Sequence, residues 1–86
     1  MQDKTLNDLL ESDVGKRVIA VVSKKFGVHE ALSADANFFH DFGADSIDVV
    51  ELLMELEEEF KIEIPANESE NIVTIEQAIL YINSHT

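Results

Sequence analysis

The sequence predicts an all-α fold: a small four-helix bundle with three longer helices, one short helix and a long loop between helices 1 and 2. Apolar residues recur at spacings of three and four along most of the 86 residues, and no strand pattern of comparable strength is present. Gly27 and Pro65, which are typical helix-stopping residues, follow two of these segments. The chain has no cysteine, so apolar packing has to stabilise the bundle.

The first helix is expected from about Ser12, a good N-cap residue, to Phe26, just before Gly27. Its apolar face consists of residues at helical spacing, namely Val14, Val18, Val21, Val22 and Phe26. Residues 1–11 are expected to form an N-terminal extension, either flexible or with an extra helical turn. One domain is expected to follow at residues 12–86.

The connection between the first two helices spans residues 28–44 and is long for a chain of this size. Residues typical of turns mark its course, and these are Asp35, Asn37, His40, Asp41 and Gly43. A loop of this length is unusual unless it packs down or has a function. We expect it to pack down through its apolar side chains, which are Leu32, Phe38, Phe39 and Phe42.

The second main helix is expected from Ser46 to about Phe60, with Asp45 as its N-cap. Asp48 lies in the first turn, where a negative charge suits the helix dipole. These features place Ser46 at the point where the long loop becomes a helix.

Two further elements complete the predicted bundle. Pro65 cannot continue a helix, and a short helical turn is expected between Ala66 and Asn71. The last helix begins at Thr74, which forms a capping-box pattern with Gln77. Its apolar face consists of Ile75, Ala78, Ile79 and Ile82.

The second helix carries two apolar rows, more than one buried stripe requires. The first row is sufficient for a core and consists of Leu52, Leu53, Leu56 and Phe60. The second row is Ile47, Val50 and Met54, flanked by Asp48, Glu51, Glu55, Glu57 and Glu58. Either the helix is central and buries both rows, or the second row is an exposed strip. A strip rimmed by carboxylates would suit apolar grooves edged with Arg and Lys.

The net charge of −12 is concentrated in the second half of the chain. Residues 1–40 hold five Lys or Arg and six Asp or Glu, whereas residues 41–86 hold one basic residue and twelve acidic ones. Such a charge repels nucleic acid and attracts basic protein surfaces, although it also keeps a small protein in solution. No apolar run is long enough to span a membrane, and no secretory segment is expected at the N-terminus.

Ser46 has no evident catalytic partner in the sequence. The histidines are scattered, at His29, His40 and His85, with neither a metal-ligand spacing nor a relay toward the serine. No glycine-rich phosphate loop and no calcium-binding loop pattern are present. We therefore predict no enzyme and no metal site, and Ser46 as a place of attachment rather than a nucleophile.

The run from Gly43 to Asp48, Gly-Ala-Asp-Ser-Ile-Asp, resembles the attachment site of acyl carrier proteins. The resemblance continues through residues 51–60, 64–65, 74–78 and 81–82, and it covers roughly 12–85. Ile47 stands where the family usually has leucine, a conservative change that should keep an apolar docking contact. The extension at 1–11 goes beyond the typical start of the family.

The resemblance implies that Ser46 carries a 4′-phosphopantetheine arm, which a phosphopantetheinyl transferase donates from coenzyme A with Mg²⁺. It implies that Asp45 contacts that transferase. Fatty acid synthesis enzymes with basic docking surfaces would then bind the second helix, through Ile47, Asp48, Val50, Glu51, Met54, Glu57 and Glu58. The acyl chain, held as a thioester, would lie against Leu52, Leu56, Ile64 and Ile72.

Two alternatives to a fatty acid carrier stay open. One is a specialised acyl carrier for polyketide or lipid A synthesis, and the other is an unmodified acidic helical adaptor. We expect a monomer, and a bacterial cytoplasm as its compartment, with a mature mitochondrial or plastid form as the alternative.

Overall fold

The computed structural model describes residues 10, 12–28 and 32–85. Four helices are bounded within them: α1 at Asp13–Phe26, α2 at Ser46–Phe60, α3 at Ala66–Ser69 and α4 at Ile75–His85. These described residues form no strand, and one isolated antiparallel bridge joins Asn37 to Thr74. The predicted all-α class, with three longer helices and one short helix, is confirmed. The expected N-terminal extension lies outside the described residues, apart from Leu10.

Helix α1 begins and ends as its sequence predicts. The Ser12 hydroxyl accepts a hydrogen bond from the Gly15 N–H at 2.9 Å, which satisfies one free donor of the first turn. Gly27 ends the helix in the left-handed conformation at φ 66°, and its N–H donates to the Ser23 carbonyl. The face that includes Val18 and Val22 is buried, and α1 packs against both α2 and α4.

The long loop packs down through Phe38, whose side chain is 0% exposed. The Phe38 N–H donates to the Val73 carbonyl at 2.9 Å, and its carbonyl accepts from the Ala44 N–H at 3.1 Å. The loop is also joined to the start of α4, because the Ile75 N–H donates to the Ala36 carbonyl. The part of the loop from residue 36 to residue 44 is therefore joined to the rest of the fold.

Three phenylalanine rings connect the loop with the end of α1. The rings of Phe26 and Phe42 stack 5.2 Å apart, and those of Phe38 and Phe42 lie 6.3 Å apart. The expectation that Phe39 also packs down is wrong, because this side chain is 36% exposed. The Asn37 side chain accepts hydrogen bonds from the N–H groups of Phe39 and His40, and this turn leaves Phe39 at the surface.

The two apolar rows of α2 have different environments. The expected core row is buried, and the buried residues of the helix are Val49, Leu52, Leu53, Leu56 and Phe60. The predicted row lacks Val49, which lies three residues before Leu52. The second row is exposed, so the alternative in which a central α2 buries both rows is wrong.

Helix α2 ends with a lysine in a conformation that favours glycine. Lys61 has φ 57°, and its N–H donates to the Glu57 carbonyl. We expect Lys61→Gly to raise the free energy of unfolding by about 1 kcal/mol, because glycine adopts this backbone without steric strain. Urea unfolding measures the change. Lys61→Ala is the matched control, since it removes the same charge and keeps the strain. Equal stabilisation by alanine would contradict this explanation.

The short helix α3 leads into α4, and the predicted capping box is present at the start of α4. The Thr74 hydroxyl accepts from the Gln77 N–H at 3.1 Å, and the Gln77 side chain accepts from the Thr74 N–H at 3.2 Å. The expected apolar face of α4 is buried, with Ile75, Ala78, Ile79 and Ile82 all in the core.

Candidate functional site

Ser46 is the first residue of α2, and its side chain is exposed. The two acidic residues beside it form a reciprocal capping box. Asp45 accepts from the Asp48 N–H at 2.9 Å, and Asp48 accepts from the Asp45 N–H at 3.2 Å. Both carboxylates thus fix the start of the helix, and the hydroxyl between them is left accessible.

The chain reaches Ser46 through a glycine in the left-handed conformation. Gly43 has φ 65°, and a Cβ added there would meet no atom within 4 Å. Its conformation explains the need for glycine, and the empty space beside it shows an open approach to the loop. Ala44, the next residue, is buried and bonded to Phe38. The backbone is therefore held in place at Ala44, one residue after the open position at Gly43.

The backbone at this helix end suits an attached phosphate. The Asp48 and Val49 N–H groups donate to Asp45, whereas no described residue accepts a hydrogen bond from the N–H of Ser46 or Ile47. Free N–H groups and the positive end of the helix dipole stabilise an anionic group. An exposed hydroxyl with two such donors beside it fits a phosphodiester linkage.

No base lies in contact with the Ser46 hydroxyl among the described residues. The His40 side chain is exposed without a hydrogen bond to the serine, and the His85 ring lies on α4, 2.8 Å from the Tyr81 carbonyl. His29 lies outside the described residues. No cluster of His, Cys, Asp and Glu able to hold a metal occurs in the described part. The Ser46 hydroxyl is therefore exposed and has no hydrogen-bonded base among the described residues.

A strip of exposed apolar side chains continues along α2 from Ser46. Ile47 is 68% exposed, Val50 53% and Met54 56%. We call these three residues the apolar strip. Large apolar side chains exposed in a row are typical of a surface that contacts another molecule. The strip begins at the residue that follows Ser46.

The carboxylates flanking the apolar strip are not equally free. Glu51 contacts Lys25 of α1, with 2.5 Å between Oε1 and Nζ. Glu57 accepts a hydrogen bond from the Ile64 N–H at 2.7 Å, so it holds the segment that follows α2. Among the described residues, Glu58 makes no ion pair or side-chain hydrogen bond. Among the carboxylates that are predicted to bind a partner, Glu58 is therefore the one most available to that partner.

A groove with a volume of about 250 Å³ lies between α2 and α3. It is lined by Val50, Leu53, Met54, Glu57, Ile64, Ala66 and Ser69. Of the predicted acyl contacts, only Ile64 lines this groove, whereas Leu52, Leu56 and Ile72 are buried in the core. The sequence did not identify the groove, because its position depends on how the chain folds back after Lys61.

The chain matches known proteins over most of its length. The family model for the phosphopantetheine attachment site matches residues 16–82. The fold is similar to the solution structure of a protein from Anaplasma phagocytophilum that is provisionally described as an acyl carrier protein. The two share 29% sequence identity and a TM-score of 0.80, over 87% of this chain and 90% of the other.

The resemblance seen in the motif is thus confirmed by a family match and by a fold match. Family members hold 4′-phosphopantetheine covalently and carry acyl groups as thioesters, without being enzymes. No helix within the described residues is long and apolar enough to cross a membrane. Because the family model covers far more than half of the chain, this chain belongs to the phosphopantetheine attachment site family, as an acyl carrier.

Proposed function

We propose that Ser46 holds the arm and that the chain passes acyl groups between enzymes of fatty acid synthesis. The observation that carries the proposal is the position of Ser46. Its exposed hydroxyl lies at the capped start of α2, and the apolar strip begins one residue later. An enzyme docked on the strip would therefore have the attachment point at the edge of its contact surface.

The residues around Ser46 position the attached arm, and the transfer reaction is left to the transferase. The N–H groups of Ser46 and Ile47 have no acceptor among the described residues and would be available to a phosphodiester on Ser46, and the Asp45–Asp48 capping box keeps the helix end formed. When bound, the arm supplies a terminal thiol that carries the acyl group. Since no described residue is hydrogen-bonded to the Ser46 hydroxyl, we propose that the transferase provides the base. We propose Asp45 as a contact of that transferase.

The acyl chain is proposed to enter through the groove between α2 and α3. Ile64 lines this groove, and Leu53 connects it to the buried side of α2. The remaining predicted acyl contacts, Leu52, Leu56 and Ile72, lie in the apolar core that a longer chain would reach. Transfer of apolar surface from water into this core is the force that would hold the chain there.

Attachment is tested by intact mass. Incubation of the chain with coenzyme A and a phosphopantetheinyl transferase is expected to add one arm of roughly 340 Da. Fragmentation of the product is expected to place the added mass on Ser46. An unmodified chain after incubation with an active transferase would contradict the proposal and favour the adaptor alternative.

Docking is tested by reversing the charge of Glu58. We expect Glu58→Lys to lower the kcat/KM of a fatty acid ketosynthase for the loaded chain roughly tenfold, because a lysine there repels a basic docking surface. Folding should change little, since the Glu58 side chain has no partner among the described residues. The measurement is steady-state turnover, with thermal unfolding as the check on folding.

Glu70→Lys is the matched control for Glu58→Lys. Glu70 is also exposed and is the C-cap of α3, so the total charge changes equally but outside α2. Equal turnover of the two variants would contradict a docking surface on α2. Glu51→Lys is a poorer probe, because it also breaks the contact with Lys25.

The pathway is tested by the enzymes that accept the loaded chain. Elongation by a type II fatty acid ketosynthase supports the proposal. Turnover only by a polyketide ketosynthase or a lipid A acyltransferase would overturn the pathway and leave the carrier role intact. The proposal places the chain in a bacterial cytoplasm as a monomer, and the bacterial source of the similar structure supports the organism class.

A further inference from the structure

Lys25 places a positive charge against the acidic side of α2. Its ammonium donates a hydrogen bond to Glu51 at 2.5 Å, across 26 residues of sequence. This hydrogen bond raises the pKa of Lys25, and the nearby charges of Glu55 and Asp48 add to the rise. Lys25 is therefore a cation at neutral pH, in contact with Glu51 and attracted from farther away by the charges of Glu55 and Asp48.

The other ion pair between α1 and α2 is held by more contacts. Arg17 donates to the Glu59 carboxylate at 3.0 Å and to the Glu59 carbonyl at 2.9 Å, and its guanidinium lies 4.4 Å from the centre of the Phe60 ring. Lys25 makes a single hydrogen bond to its partner. Because one contact is easier to exchange than three, the Lys25–Glu51 pair is the replaceable one.

The Lys25–Glu51 pair is open to an approaching protein. The Glu51 side chain is 54% exposed and belongs to the carboxylates that flank the apolar strip, whereas the Lys25 side chain is only 17% exposed. A partner's cation can thus reach Glu51 from the solvent side, whereas Lys25 contacts Glu51 from the side of α1. Both cations would compete for one carboxylate.

We propose that Lys25 is an internal competitor for the docking surface and lowers the affinity for basic partners. A partner that binds Glu51 must replace Lys25 there. Part of the favourable binding free energy is then offset by the loss of the Lys25–Glu51 contact. Lower affinity among related complexes mostly means faster dissociation, which suits a carrier that visits several enzymes. This inference rests on the proposed function.

The test compares two neighbouring lysines of α1. Lys25→Met keeps the alkyl chain and removes the competing charge, and Lys24→Met removes an equal charge from an exposed position that has no ion pair among the described residues. At low salt, the KM of a phosphopantetheinyl transferase for the chain is expected to be two- to fivefold lower for Lys25→Met than for Lys24→Met. The kcat is expected to be unchanged, as for a change in binding alone.

A second pair of variants separates competition from general charge. In a Glu51→Gln background, Lys25→Met is expected to give no decrease in KM beyond that of Lys24→Met, because there is no carboxylate to release. Raising the salt concentration is expected to shrink the original difference. Circular dichroism checks the fold, and Lys25→Gln replaces Lys25→Met if the latter unfolds.

The outcomes distinguish the two proposals. Equal KM values for the Lys24 and Lys25 variants, or a decrease that persists without Glu51, would overturn the competitor role. If the natural sequence takes up no arm from an active transferase, the proposed function is wrong, and the role of Lys25, which rests on it, is wrong as well. Arm uptake by all variants at equal KM overturns only the role of Lys25.

Discussion

Ser46→Ala is expected to abolish attachment of the arm. After incubation with coenzyme A and transferase, the variant should keep its original mass, whereas the natural sequence gains roughly 340 Da. The reason is chemical, since alanine has no oxygen to form the phosphoester bond. The fold should persist, because the Ser46 side chain is exposed and makes no hydrogen bond within the described residues. We expect the free energy of unfolding to change by less than about 0.5 kcal/mol.

Ser84→Ala is the matched control for this experiment. Ser84 is also an exposed helical serine, but it lies on α4 and donates to the Leu80 carbonyl. This variant should gain the arm as the natural sequence does. A mass increase in Ser46→Ala would show a different attachment point, and loss of the increase in Ser84→Ala would contradict the assignment to Ser46.

Phe38→Ala is expected to lower the free energy of unfolding by about 3–5 kcal/mol, the usual effect of removing a fully buried phenylalanine. A domain of this size has a total stability of roughly 4–13 kcal/mol, so the variant loses a large part of it. Phe38 is 0% exposed, and its ring lies beside that of Phe42. Urea unfolding at neutral pH measures the loss. If the variant is unfolded without urea, its circular dichroism spectrum shows this directly.

The adjacent phenylalanine is the matched control. Phe39 is 36% exposed, so Phe39→Ala should change the free energy of unfolding by less than about 1 kcal/mol. The two variants differ by one position and have the same composition. Similar destabilisation by both would contradict the description of the loop, in which Phe38 is enclosed by the core and Phe39 is not.

The helices were predictable because their ends carry local signals. Ser12 and Gly27 bound α1, and Thr74 with Gln77 begins α4, all through contacts within a few residues. The apolar rows follow from helical spacing alone. Such information is present in a short stretch of sequence and does not depend on the rest of the fold.

The environment of the loop and of the second row of α2 depended on distant parts of the chain. Which phenylalanine of the pair Phe38–Phe39 faces the core is set by the turn at Asn37 and by the contact with Val73. Similarly, whether Val50 is covered depends on the positions of the other helices. Periodicity identifies two apolar rows but does not say which one another helix covers.

At the candidate site, the residue types were predictable, but the contacts that their side chains make were not. The motif indicates the acidic residues beside Ser46, and their capping box follows from local spacing. The contact of Glu51 with Lys25 and that of Glu57 with the Ile64 N–H arise from the tertiary fold. Sequence alone therefore treats as equivalent several carboxylates that the fold makes different.

The hydrogen bonds between the long loop and the start of α4 have a consequence for biosynthesis. Ser46 lies near the middle of the chain, yet the loop leading to it is bound by Val73 and Ile75, which are translated much later. While the ribosome still holds the last third of the chain, Phe38 lacks its backbone partner. The correct presentation of the serine is thus expected only after Val73 and Ile75 have left the ribosome and bound the loop, which delays cofactor loading until the start of α4 has been made.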